Sequence, residues 1–276
     1  MNDRMKVLLM ILIFLLALYL FLTAPRMKKR ADRTPFMQNV FYAHRGLFDN
    51  QSDAPENSMA AFGKAADAGY GMEMDVQLTK DDKLVVFHDA SLKRMCGVEG
   101  MVWEYTLEEL KQFRLADSKE SIPTLEEVLQ LVDGRTPLII EYKLDRPLTK
   151  VCALGNELLS GYKGAYCIES FHPFALMWYK KHRPDVLRGQ LSGNMAKETK
   201  SRKLKIVYTL VTYLLTNVLT RPDFIAYDHR YVNNISRKVC KWMGALSVTY
   251  TVKSTERYQE IQKDFDLFIF DSCILK

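Results

Sequence analysis

Two of the five histidines, His44 and His88, each close a short apolar run, and acids and cations cluster in the same part of the chain. Glu73 and Asp75 lie two apart in residues 71–78, which alternate as a strand does, so both side chains leave from one face. Glu141 and Lys143 repeat that spacing at the end of the apolar run 137–142. Three inward carboxylates on adjacent strands repel one another unless a cation sits between them. An all-oxygen donor set suits a hard divalent ion, so Glu73, Asp75 and Glu141 are expected to hold Mg²⁺ or Ca²⁺. The alternative is a cluster balanced only by Arg45 and Lys143. Imidazoles titrate near neutrality, so His44 and His88 are expected as a general acid/base pair, with neither assigned to one role. Arg45 offers a bidentate fork and Lys143 a point charge, and phosphate is the anion that fits both. The parts describe a site for an anionic ester.

These residues sit at the ends of short apolar segments, which alternate with helical patterns. Strands are expected at 40–43 (ending at His44), 71–78, 84–87, 137–142, 165–169, 186–191, 223–227, 245–252 and 267–270. Helices are expected between them, at 58–68 with Asn57 as a cap, and at 124–132, 148–159, 173–181 and 236–242, with a last one reaching Lys263. Strand then helix, repeated about eight times, predicts a parallel sheet closed into a TIM-type (β/α)8 barrel. In such a barrel the C-terminal strand ends meet at one face, so residues far apart in sequence converge there. No Gly-x-Gly-x-x-Gly follows the first strand, which counts against a dinucleotide site. Residues 90–121 are too long for a simple loop. They carry a Thr106/Glu109 capping box and are expected to form a small insertion beside the barrel mouth.

His44-Arg45-Gly46, Pro55-Glu56-Asn57-Ser58, Glu73-Met74-Asp75-Val76, His88-Asp89, Ile122-Pro123-Thr124-Leu125-Glu126 and Glu141-Tyr142-Lys143 together resemble the glycerophosphodiester phosphodiesterase family in order and rough spacing. The resemblance runs from about Val40 to the C-terminus, and Ser170-Phe171 and Tyr250-Thr251-Val252 also look like family positions. It implies a TIM-type barrel and a metal-dependent phosphodiesterase that releases glycerol 3-phosphate and an alcohol, through a cyclic phosphate or by direct attack of water. It carries over His44 and His88 as acid and base, Glu73, Asp75 and Glu141 as metal ligands, and Arg45 and Lys143 as phosphate contacts. Glu56 follows as a supporting or substrate-contacting carboxylate. Tyr250 stands where the family commonly has Trp, and Phe268-Ile269-Phe270-Asp271 departs from the usual last strand, which puts the substrate in question. A phospholipase D-like or lysophospholipase D-like hydrolase of membrane lipids is one alternative, and a non-catalytic membrane-bound binding protein is another.

The chain has 276 residues and a net charge of +6, but the first 40 hold seven basic and two acidic residues, so the remainder is nearly neutral. That distribution points to a membrane surface and away from nucleic acid, which would require a basic face on the folded domain. Residues 7–24 carry no charge. At ~1.5 Å per residue they reach about 27 Å, close to the ~30 Å hydrocarbon core. The rival, a cleaved signal peptide, is disfavoured because Leu22-Thr23-Ala24 lacks the small residue two before a cleavage point. Residues 1–39 are therefore expected as a single-pass transmembrane anchor with a basic linker, and 40–276 as the barrel domain. Five basic residues soon after the span against two before it place that domain in the cytoplasm. Five cysteines without C-x-x-C spacing read as free thiols, in agreement. A second candidate membrane segment spans 197–220, with a basic start and an uncharged stretch from 206, matched evenly by an ordinary buried helix. The expected partners are a glycerophosphodiester or lysophospholipid substrate and membrane lipid; the oligomeric state stays open.

Overall fold

Period-two alternation does what the sequence asks of it: one row of each strand turns into a ring and the other turns out toward helices. A computed structural model of the chain describes residues 2–26, 33, 36–37, 41–144 and 149–275, with only the backbone of Lys203. The expected strand start at Val40, the basic residues Lys28, Lys29 and Arg30, and the expected helix start at Leu148 lie outside the described residues. Eight parallel strands form the ring: β1 (Phe41–His44), β2 (Gly71–Leu78), β4 (Leu138–Tyr142), β5 (Tyr166–Ser170), β6 (Arg188–Ser192), β7 (Phe224–Asp228), β8 (Leu246–Val252) and β9 (Leu267–Phe270). β9 pairs back onto β1, and β1 onto β2, so the sheet closes as a TIM-type barrel. β3 (Leu84–Val86) folds back antiparallel on β2.

Helix α1 (Asp3–Thr23) precedes the ring, and α2 (Met59–Asp67) joins β1 to β2. Two short helices, α3 (Lys93–Cys96) and α4 (Leu107–Leu110), lie in residues 90–121, followed by α5 (Leu125–Val132). Then come α6 (Lys150–Ser160) and α7 (Pro173–His182). Between β6 and β7 stand α8 (Met195–Glu198), α9 (Arg202–Thr212) and α10 (Asn217–Thr220), while α11 (Ile235–Trp242) follows β7 and α12 (Thr255–Ile261) follows β8. Outward Met72, Met74, Val76, Ile140 and Tyr142 pack with Phe62, Val128 and Leu176 between ring and helices. Inward Tyr42, Ile139, Cys167, Phe224, Val248 and Ile269 fill the ring. The insertion owns a third apolar cluster, with Leu92, Met95, Val102, Leu110 and Leu115 around Val85 and Phe87.

Local caps set the helix starts. Thr106 and Glu109 form the expected capping box, and Thr124 with Glu127 forms another. The expected Asn57 cap is corrected: the Ser58 hydroxyl accepts the Ala61 N–H at 3.1 Å, while Asn57 adopts φ +57° and sends its amide to Asp75. The end of α1 docks on the barrel. Tyr19 meets the Ser236 hydroxyl at 2.8 Å, Asn217 donates to the Thr23 carbonyl at 2.9 Å, and Arg26 N–H reaches the Pro222 carbonyl at 2.8 Å.

Candidate active site

Strand register brings the predicted residues together. His44 ends β1 level with Glu73 on β2, Asp75 is level with Glu141 on β4, and Glu141 with Glu169 on β5. A pocket of about 190 Å³ at the C-terminal strand ends is lined by His44, Arg45, Glu73, His88, Glu141 and Lys143. Asp75 lies just beneath, fully buried. One carboxylate oxygen from each of Glu73, Asp75 and Glu141 falls within 4.8 Å of the others.

Each imidazole is braced by a carboxylate. His44 Nδ1 lies 2.9 Å from Asp271 Oδ2, and its Nε2 is 3.9 Å from Glu73 Oε2. His88 Nδ1 lies 2.6 Å from Asp89 Oδ1. The Gln77 amide fixes the His88 backbone by donating to the carbonyls of Phe87 at 2.7 Å and Asp89 at 2.8 Å. In both rings the carboxylate engages Nδ1, so Nε2 is the nitrogen able to exchange a proton with a ligand. Burial pushes both histidines below the usual imidazole range, although Asp271 pulls His44 up and Asp75 pulls His88 up.

Arg45 sits in the left-handed region at φ +58°, followed by Gly46 at +82°. That turn aims the Arg45 guanidinium back over the acids: Nη1 donates to Glu56 Oε1 at 2.7 Å, and Nε lies 3.4 Å from Asp75 Oδ2. A side chain at Gly46 would meet the Ala61 backbone at 2.7 Å, so close approach as well as dihedral requires glycine. The Lys143 ammonium lies 2.9 Å from Asp75 Oδ1 and 2.7 Å from Glu141 Oε2.

The donor set can be tested for a cation by charge. Arg45 and Lys143 face Glu73, Asp75, Glu141 and Glu169, with Glu56 sharing Arg45, so among the described residues acids outnumber cations. Burial opposes ionisation of Asp75, but Lys143 first, then His88 and Arg45, hold it well below the usual carboxylate range. In the other acids the same cations, Lys143 above all, are outweighed. Burial and then Asp75 push Glu73 well up, burial raises Glu141 to about 7, and burial and then Glu141 raise Glu169 well above normal. Three adjacent acid oxygens in a cluster with more acids than cations, whose ionisation burial opposes, fit a hard divalent ion that would favour the ionised forms. The balancing by Arg45 and Lys143 weighed as the alternative is present too, but incomplete.

Several residues escaped the sequence reading. Asp271 stands out in the sequence only as part of a last strand that departs from the family's usual one. Glu169 follows from extending period two along β5, since it lies two after the inward Cys167 and shares its face. Arg94, on the insertion, donates to Glu56 Oε1 at 2.6 Å and to Asp89 Oδ2 at 2.6 Å, and no local spacing announces it. Together with Arg45 and Asn50 it outweighs the burial of Glu56 and holds that carboxylate at about 2.

Known proteins resemble this chain in sequence and in fold. The profile of the Glycerophosphoryl diester phosphodiesterase family matches residues 44–221. A glycerophosphodiester phosphodiesterase of Bacillus altitudinis is 35% identical over 52% of this chain and 63% of its own length. One from Caldanaerobacter subterraneus is 34% identical over 56% of this chain and 67% of its own. The chain thus spans about two thirds of the length of these curated relatives. The rat protein named lysophospholipase D GDPD1 is 30% identical over 54% of this chain and 50% of its own length. The crystal structure of a glycerophosphodiester phosphodiesterase from Thermotoga maritima superposes with a TM-score of 0.64 at 25% identity, covering 85% of this chain and 95% of that one. An Oleispira antarctica phosphodiesterase solved with sn-glycerol-3-phosphate shares the fold, with a TM-score of 0.67 at 23% identity over 84% of this chain and 92% of its own. With the profile covering well over half of the chain and opening on the His44 that begins the pocket, this protein belongs to the glycerophosphoryl diester phosphodiesterase family.

Proposed function

We propose that the protein is a metal-dependent phosphodiesterase that hydrolyses glycerophosphodiesters to glycerol 3-phosphate and an alcohol, held at a cell membrane by α1. The observation that carries this reading is the meeting, in one pocket, of two carboxylate-braced imidazoles with a buried cluster in which acids outnumber cations. Glu73, Asp75 and Glu141 would hold Mg²⁺ or Ca²⁺, which supplies Lewis-acid neutralisation of the phosphoryl oxygens when bound. Arg45 and Lys143 orient the same phosphate group from the protein side. The attacking hydroxyl, the glycerol's own or that of water, gives its proton to the Nε2 of one imidazole. The other imidazole protonates the departing alkoxide. Because both rings are wired alike through Nδ1, they can exchange roles in a second step.

The pocket is smaller than the ~300–1,000 Å³ that encloses drug-sized ligands. It suits the phosphoglycerol end of a substrate, with a large leaving group projecting from the mouth. The family membership and the named relatives support the reaction class. A lysophospholipid is the second reading, favoured by the apolar α1 helix and by the name of the rat relative. Turnover of glycerophosphocholine and of lysophosphatidylglycerol, with and without a chelator, tests both. His44→Ala and His88→Ala should each lower turnover by roughly 10²–10⁴-fold; full turnover in both variants, or indifference to the chelator, would refute the assignment.

A further inference from the structure

The direction in which α1 leaves the barrel follows from its contacts. α11 runs from the mouth end to the opposite end, because it connects the C-terminal end of β7 to the start of β8. Tyr19 meets Ser236 in the first turn of α11, and the Thr23 carbonyl meets Cys240 Sγ one turn further along at 3.3 Å. Arg26 reaches Pro184 and Pro222, just before β6 and β7 begin. α1 therefore runs parallel to α11, and the part before Tyr19 projects beyond the mouth rim. That part is apolar from Val7 on, and its large side chains stand 40–67% exposed.

A second apolar element stands on the same rim. The Ser192 hydroxyl, at the end of β6, donates to the Val211 carbonyl at 2.9 Å. The Tyr227 hydroxyl and the Asn234 amide both donate to the Thr212 carbonyl, at 2.8 and 3.3 Å. Those bonds fix the end of α9 to the mouth ends of β6 and β7. The pocket wall is one residue away, since the Tyr250 hydroxyl donates to the Ser192 carbonyl at 2.8 Å. Val211 and Thr212 face the barrel, while Ile206, Val207, Leu210 and Tyr213 share the outward face at 72%, 52%, 41% and 44% exposure. Phe174 and Ile235, at the mouth-side starts of α7 and α11, are 46% and 58% exposed. Exposed Lys197, Lys200, Arg202 and Lys205 lead into α9, as an anionic headgroup layer requires.

Length supports the same orientation. Residues 7–18, the apolar part of α1 that is clear of the barrel, measure about 18 Å at ~1.5 Å per residue. A hydrocarbon core of ~30 Å is not spanned by that stretch alone. Interfacial helices sink about 5–10 Å into the headgroup–acyl boundary. Sinking the rim by about 5–10 Å supplies roughly half or more of the remaining ~12 Å.

We propose that the mouth rim formed by α9 and the starts of α7 and α11 is a lipid-docking surface, so that the pocket opens onto the bilayer entered by α1 and accepts amphiphilic glycerophosphodiesters from it. The inference rests on α1 being a retained anchor and, for the substrate, on the reaction proposed above. The full chain is reconstituted in phosphatidylcholine/phosphatidylglycerol vesicles, with the same lipids brominated on the acyl chains as quenchers. The added emission of Ile206→Trp is expected to be quenched at least twofold, and that of Leu219→Trp, near the opposite end of the barrel, to be unaffected. Equal quenching at the two positions, none at Ile206→Trp, or failure of the chain to float with vesicles overturns the proposal whether or not the protein is an enzyme. In the activity arm, Ile206→Glu with Leu210→Glu should lower turnover of vesicle-borne lysophosphatidylglycerol by about tenfold and leave glycerophosphocholine unchanged. An equal loss on both substrates, or no loss on the vesicle-borne one, overturns bilayer delivery. Absence of turnover in the unsubstituted chain strikes the proposed reaction, and with it delivery of substrate, while leaving the docking surface to the quenching result.

Discussion

Replacing Asp271 by Asn isolates the brace behind one imidazole. Asp271 Oδ2 takes a hydrogen bond from His44 Nδ1 at 2.9 Å, and this contact fixes the tautomer that leaves Nε2 free toward Glu73. The isosteric amide keeps the volume but removes the charge and can present its NH2 group to the ring. A hydrogen bond to a charged partner contributes about 1.5–3 kcal/mol. At ~1.4 kcal/mol per tenfold, its loss in the transition state lowers kcat/KM by about 10- to 100-fold. The pH profile carries a second signature. Burial already pushes His44 below the usual imidazole range, and Asp271 is the leading influence that raises it. Without the carboxylate the charged ring loses that support, so the limb of the profile set by His44 moves to lower pH, whether the ring serves as base or as acid. The assay is kcat/KM for glycerophosphocholine from pH 4 to 10 at saturating divalent ion, for the parent chain and Asp271→Asn. An unchanged kcat/KM with unmoved limbs would show that Asp271 does not position the imidazole. A loss with unmoved limbs would show that it acts only through packing.

Two further outcomes follow from the site's scaffolding. Gly46→Ala forces a side chain into φ +82° and to 2.7 Å from the Ala61 backbone, so the urea midpoint should fall by the equivalent of roughly 2–4 kcal/mol; a shift below ~0.5 kcal/mol would contradict the geometry. Glu56 has a folded value of about 2, below its unfolded value, so its stabilisation is complete above about pH 4.3 and fades as pH falls toward 2. Arg94→Ala should therefore cost roughly 1 kcal/mol at pH 7, the partly exposed arginine being screened, and less below pH 4; a Tm difference independent of pH would refute the coupling.

The ring and its inward acids were legible because period-two alternation and the end-of-strand placement of charge are local signals. Glu73, Asp75 and Glu141 needed only that alternation plus the assumption of a parallel barrel. His44 and His88 could be named from their position after apolar runs, but their braces could not. Asp271 reaches His44 from the other end of the barrel sequence, through the β1–β9 pairing. Arg94 works through Glu56 and Asp89 from an insertion whose path no repeat predicts. Asn57 and Ser58 are adjacent polar residues either of which suits the cap in sequence; the left-handed turn at Asn57 that settles the choice depends on the buried Asp75. Residues 197–220 were ambiguous because α9 has apolar residues on both its barrel-facing and its outward side.

The seam between β1 and β9 also governs how the molecule comes into being. His44 and Asp271 are 227 positions apart, so they meet only when the two ends of the ring find each other. Contacts of that separation form late, since the entropy of closing so long a loop must be overcome before the pairing is rewarded. During refolding, helical content should therefore return ahead of turnover. Catalytic competence is in this sense a clock on the final stitch of the cylinder.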